Sequence, residues 1–136
     1  MANLNDDTVR DLLRNARVIA VVGHSDRPSR TSYQIAQFLR RVGYTVYAVN
    51  PTITTIDGEK SYPSLADVPE PIDIVDVFRR SEYLSGVVDD AIAAGAKSVW
   101  AQLGVYDAEA ERKAEAAELD IVMDRCIKVE YGRLLR

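Results

Sequence analysis

The chain has 136 residues, 47% of them hydrophobic and 28% charged, a composition that suits an ordinary soluble fold and argues against disorder or a membrane span. Its formal net charge of −4 argues against a nucleic-acid module, which ordinarily carries a basic face, so any anion it binds must be gripped by local groups. Met1 to Asp7 have neither a basic flank nor a long apolar core, so no signal peptide is read there, and the lone Cys126 excludes an internal disulfide. One domain spanning 1–136 and a cytoplasmic location are the expectations.

Asn5 stands where a helix N-cap belongs, with Asp6 and Asp7 in the first turn and Leu4 and Val9 at staple positions. Val9, Leu12, Leu13 and Ala16 keep the spacing of one buried helical face, which predicts a helix over 6–15. Val18-Ile19-Ala20-Val21-Val22 is an unbroken, mostly β-branched apolar run, the signature of a strand covered on both faces of a parallel sheet. Such a strand delivers the chain to a crevice at the sheet's carboxyl edge, so residues 23–32 are expected to line a binding site. Ile35, Ala36, Leu39 and Val42 then predict a helix from about Ser32 to Val42, stopped by Gly43. Thr45 to Val49 is a second strand, ended by Asn50-Pro51. From Thr52 to Val68 turn signals prevail without a sustained period, with Asp57-Gly58 on a small excursion. Ile72 to Phe78 reads as a third strand with Asp73 near its start. Leu84, Val87, Val88, Ala91 and Ile92 mark a helix capped by Ser81 and stopped by Gly95. Ser98 to Gln102 is a fourth strand, Asp107 to Glu118 a helix, Ile121 to Met123 a fifth strand, and Cys126 to Leu135 a closing helix. This alternation implies βα units with right-handed crossovers.

A dinucleotide site would show G-x-G-x-x-G after the first strand and an acidic residue ending the second; here only Gly23 of the three glycines is present, and Asn50 ends the second strand. No G-x-x-x-x-G-K-[ST] loop occurs either. What the first loop does offer is Ser25, Arg27, Ser29, Arg30, Thr31 and Ser32, groups that suit phosphate oxygens.

The series V-V-G-H-S-D-R-P-S-R-T-S, Y-T-V-Y-A-V-N-P, D-I-V-D-V-F-R-R, V-W-A-Q-L-G and M-D-R-C-I-K resembles the small stand-alone CoA-binding domain proteins. These in turn resemble the amino-terminal domain of the succinyl-CoA synthetase α subunit and of ADP-forming acyl-CoA synthetases. The resemblance implies a Rossmann-like three-layer α/β fold with a five-stranded, mainly parallel sheet, helices on both faces, and coenzyme A across the strand ends. It implicates Gly23, His24, Ser25, Arg30 and Ser32 after the first strand, Asn50 and Pro51 after the second, and Phe78, Arg79 and Arg80 after the third, with Leu103 and Gly104 near the pantetheine arm. Arg27 joins Arg30 as a flanking charge for the phosphates of CoA, while Arg79 and Arg80 open a helix.

His24 offers an acid/base group without an evident partner, so no catalytic residue is assigned. Cys126 reads first as a small buried hydrophobe, with redox pairing to the thiol of CoA as the alternative. No cluster at metal-ligand spacing is present. Larger relatives with this domain owe their chemistry to further domains that this sequence does not contain. The expectation is therefore a non-catalytic CoA or acyl-CoA binding protein, a carrier or sensor without a nucleic-acid or membrane partner. A small nucleotide-dependent reductase and a CoA-binding subunit working with a catalytic partner in trans are the alternatives.

Overall fold

The computed structural model describes residues 4–135. Its chain order is α1 (Asp6–Asn15), β1 (Val18–Val22), α2 (Thr31–Arg41), β2 (Thr45–Val49), β3 (Thr55–Ile56), β4 (Glu59–Tyr62), β5 (Ile74–Val77), α3 (Leu84–Ala93), β6 (Ser98–Ala101), α4 (Ala108–Ala116), β7 (Asp120–Val122) and α5 (Ile127–Leu134). The sheet runs β3-β4-β2-β1-β5-β6-β7, parallel throughout except for the antiparallel β3–β4 pair. The expected α/β class holds, with seven strands rather than five.

The two extra strands come from the segment read as turns. Asp57 and Gly58, with φ of 52° and 81°, form the two-residue turn of a β3–β4 hairpin. Left-handed values at both positions suit a type I′ turn, whose twist matches the strands it joins. β4 then pairs in parallel with β2. Its Glu59 and Lys60 are exposed, so no apolar alternation announced it.

Alternation along β1 divides the core. Ile19 and Val21 face α1, α2 and α5, packing with Leu13, Leu39, Ile74, Trp100 and Ile127. Ala20 and Val22 face α3 and α4, packing with Val75, Val77, Leu84, Val88 and Ala110. Trp100 is fully buried, and its indole N–H donates to the Arg125 carbonyl at 2.8 Å, so the largest apolar side chain carries no unpaired donor.

Asn5 caps α1 as expected, its Oδ1 accepting the Thr8 N–H at 2.8 Å. Ser81 does not cap α3. It begins a single 3-10 turn, Ser81–Tyr83, and its hydroxyl instead bonds the Gly104 carbonyl and the Tyr106 N–H, tying the loop after β5 to the loop after β6. Among the described residues no helix is long and apolar enough to cross a membrane.

Candidate functional site

Strand order reverses at β1, which has β2 on one side and β5 on the other. A parallel sheet opens a crevice at such a reversal, outside its carboxyl edge. Gly23 stands there with φ of 87°, its N–H donating to the Val49 carbonyl at 2.9 Å. A Cβ at this position would meet the Phe78 carbonyl oxygen at 3.2 Å, so both backbone conformation and space favour glycine. The loops after β1 and β5 thereby touch, main chain to main chain.

Asn50 joins the loops after β1 and β2. Its Nδ2 donates to the His24 carbonyl at 3.0 Å, and its Oδ1 accepts from the Thr52 N–H at 3.0 Å and the Thr52 hydroxyl at 2.8 Å. The side chain thus positions two loops. Ser25 and Ser32 do the same within the first loop: the Ser32 hydroxyl accepts the Ser25 N–H at 3.0 Å, and the Ser25 hydroxyl accepts the Arg27 N–H at 3.0 Å.

His24 is fully buried, with its ring turned into the protein. Nδ1 lies 2.8 Å from the Ser25 carbonyl and Nε2 lies 3.2 Å from Arg40 Nη1. Arginine can only donate, so Nε2 accepts and Nδ1 carries the hydrogen. Burial holds the imidazole below its ordinary pKa, and the Arg40 charge acts the same way against the opposing Ser25 bond. The ring is a neutral brace, with both nitrogens occupied. Tyr33, edge-on to that ring, donates its hydroxyl to Asp57 at 2.5 Å, fastening the β3–β4 turn to α2.

What remains open to a ligand is charge and backbone. Arg27 and Arg30 are exposed, and neither has a carboxylate partner among the described residues. α2 has no side-chain cap; Gln34 is its first residue to donate backward, to the Arg30 carbonyl at 3.1 Å. The N–H groups of Thr31, Ser32 and Tyr33 have no protein acceptor, a standard arrangement for holding an anion.

Two cavities, each about 420 Å³, meet at Phe78 and Arg79, which line both. The first lies between the ends of β1, β2 and β5 over Gly23, Asn50, Pro51 and the apolar side chains of Val22, Val49, Leu65 and Val87. The second lies toward α2 and β6, lined by Arg80, Gln102, Leu103, Gly104 and Cys126. The Arg79 guanidinium sits 4.5 Å from the Tyr83 ring centroid, a stacking that holds the charge in place. Arg80 is exposed and pairs with Glu82 at 3.5 Å.

Of the residues expected from sequence, Gly23, Asn50, Pro51, Phe78, Arg79, Arg80, Leu103 and Gly104 line these cavities. Arg27, Arg30, His24, Ser25 and Ser32 line neither cavity; the two arginines are exposed, and His24 and Ser32 are buried. Cys126 is half-buried: it packs against the core on the α1, α2 and α5 face, in keeping with a small hydrophobe, and it also lines the second cavity. Pro63, Ser64 and Leu65 went unrecognised because β4, which brings them to this edge, was unread. Among the described residues no three potential ligand side chains gather as a metal site.

Residues 17–132 match the family model described as "CoA binding domain". The chain belongs to this CoA-binding domain family. It is 40% identical over 132 residues to YneT of Bacillus subtilis strain 168, described as uncharacterized, covering 97% of this chain and 98% of that protein. It superposes with a TM-score of 0.94 on a hypothetical protein from Pyrococcus horikoshii OT3, 41% identical, covering 98% of this chain and 94% of that one. It is also 30% identical over 104 residues to acetate–CoA ligase (ADP-forming) I of Archaeoglobus fulgidus, covering 76% of this chain but only 15% of that ligase. The CoA-binding domain is thus the portion shared with a much larger enzyme.

Proposed function

We propose that this protein is a single-domain, non-catalytic binder of CoA or acyl-CoA, acting as a carrier or sensor. The observation that carries the reading is the pair of cavities joined at Phe78 and Arg79 across the strand-order reversal. A ligand with a flat base at one end, phosphates in the middle and a long flexible arm suits two compartments separated by a positively charged waist. The apolar walls of the first cavity suit adenine, and the second suits the pantetheine arm. Arg27, Arg30, Arg79 and Arg80, with the free N–H groups of α2, supply the donors that a pyrophosphate and a 3′-phosphate need. Gly23 leaves room for close approach, since a side chain there would fill the waist.

His24 supports the non-catalytic part, because both its ring nitrogens are engaged. A second reading, a CoA-binding subunit working with a catalytic partner, draws on the small share of the ligase that this chain matches. Leu103, 72% exposed, lines the second cavity, where the arm would emerge.

Calorimetry with CoA, dephospho-CoA and NAD tests the reading, alongside an Arg79→Ala, Arg80→Ala double variant. CoA is expected to bind and NAD not to bind. Loss of the 3′-phosphate and loss of the two arginines should each weaken binding without adding fully, since coupled partners are not additive. No heat with CoA at millimolar concentration overturns the proposal, and NAD binding in its place returns the reductase. Co-purification of one stoichiometric partner favours the subunit.

A further inference from the structure

Two adjacent acids on α3 meet different surroundings. Successive residues of a helix point about 100° apart, so neighbours in sequence face different elements. Asp89 turns toward α4, where Lys113 Nζ lies 3.0 Å from its Oδ2. Asp90 stands three residues beyond Val87 on the same helix face, and both line the first cavity. Among the described residues Asp90 is the only acid lining either cavity. It has no ion-pair partner there, although Arg79 lines the same cavity and has no acid of its own. Arg79 rests instead on the Tyr83 ring. The fold thus puts a carboxylate and a guanidinium in one cavity without pairing them, and a ligand entering it meets both. Much of the remaining wall is apolar, formed by Val22, Val49, Leu65 and Val87.

We propose that Asp90 sets the base specificity of this site, its carboxylate accepting a hydrogen bond from the exocyclic amino group of adenine. The inference rests on the CoA reading, which lays a flat base against this apolar wall. A carboxylate offers only acceptors, so it favours a donor and repels an anion. The phosphates therefore settle at the arginines and the start of α2, and the uncharged end of the ligand turns to Asp90. Adenine brings its donor at C6, while its unsubstituted ring nitrogens are acceptors. The ribose 2′-hydroxyl can also donate, but it adjoins the 3′-phosphate, whose charge the carboxylate repels. One acid in a site otherwise built for anions thus orients the nucleotide end to end, and it selects a base that carries the amino group over one that lacks it.

Calorimetry compares CoA with its analogue in which unsubstituted purine replaces adenine, so that only the amino group is missing. The unmodified chain should bind CoA about tenfold more tightly than the analogue, the scale of one hydrogen bond to a charged group. In Asp90→Ala, CoA should weaken about tenfold and the two ligands should bind alike, because either deletion alone already removes the shared bond. Asp89→Ala, which loses the Lys113 contact, should keep the preference. Asp90 is exposed, so its alanine variant should fold, and a melting curve checks that; if it does not fold, the preference of the unmodified chain decides. Equal affinities in the unmodified chain, or a preference that survives in Asp90→Ala, overturn the inference even where CoA is bound. Tighter binding of both ligands by that variant overturns it too, since the carboxylate would then act only by repelling phosphate. Absence of CoA binding overturns the CoA reading and this inference together.

Discussion

Asp73 immediately precedes β5 and Asp76 lies within it, and their surroundings differ as the two edges of the sheet differ. At the amino edge, Asp73 Oδ2 accepts the Arg17 and Val18 N–H groups at 2.8 and 2.9 Å, and Lys97 lies 3.3 Å from Oδ1. Burial alone would raise its pKa, but these partners outweigh it and hold the carboxyl below its usual range. Toward the carboxyl edge, Asp76 has burial and nothing to offset it, so its carboxyl is driven well above that range and holds its proton. The amino edge is electrostatically complete, which is what a structural joint requires. The carboxyl edge is incomplete: its free helix N–H groups, and Arg27 and Arg30 with no acid partner among the described residues, are what a ligand can complete, while Asp76 lies buried and unmatched beneath it.

Breaking the complete edge has the largest effect. Asp73→Ala leaves two strand-initiating N–H groups without their charged acceptor, at about 1.5–3 kcal/mol for each lost bond. Urea denaturation should show a loss of about 3 kcal/mol, while CoA affinity, set at the opposite edge, stays the same; a loss of under about 0.5 kcal/mol would show that water replaces the carboxylate freely. Asp76→Val should do the reverse, because it removes an unmatched buried polar group. A gain of about 1–3 kcal/mol is expected from the same titration. A destabilised valine variant would show that Asp76 has a partner in solution.

The complete edge was also the more legible in sequence. Val18 to Val22 declared a doubly covered strand because all five residues are apolar, and Asp73 was correctly set near the start of the third strand. Helices were legible for the same reason, since one-sided burial imposes a period on the chain. The hairpin was not: β3 and β4 are short, and β4 carries Glu59 and Lys60 in water. At the site, motif residues that shape backbone were readable by type, but the direction of a side chain was not. His24 turns inward because Arg40, on the far turns of α2, waits for it, and that pairing leaves no local trace. Gln102 and Cys126 meet only through the crossover that brings α5 back beside β6, so neither announced the other.

Gly23 offers a sharper cut at the carboxyl edge. Gly23→Ala should cost about 1 kcal/mol for the left-handed backbone conformation. Its larger signature is functional, since the new methyl must push the Phe78 carbonyl from its 3.2 Å approach and so part the two loops. CoA affinity measured by calorimetry should fall by more than the stability loss accounts for; unchanged affinity would mean that the waist tolerates the shift.

The smallest effect is the pH dependence, and the three buried or half-buried acids and bases pull it in different directions. Asp73, lowered in the fold, contributes stability above its unfolded value of 3.8 that is lost as pH falls through the folded value. Asp76, raised in the fold, contributes stability below 3.8 that is lost as pH rises toward its folded value. His24 is lowered from 6.5, so the unfolded chain binds its proton first; stability is complete above 6.5 and declines as pH falls toward the folded value. In the unmodified chain the Asp76 and His24 slopes oppose each other and partly cancel. Asp76→Val removes one of them, so its urea midpoint should fall as pH drops below 6.5 more steeply than the parent's does. Adding His24→Gln should flatten that decline. The only histidine in the chain gives an independent check, because its ring resonances should titrate below 6.5; titration at or above that value would mean that the imidazole faces solvent and that the first loop is open.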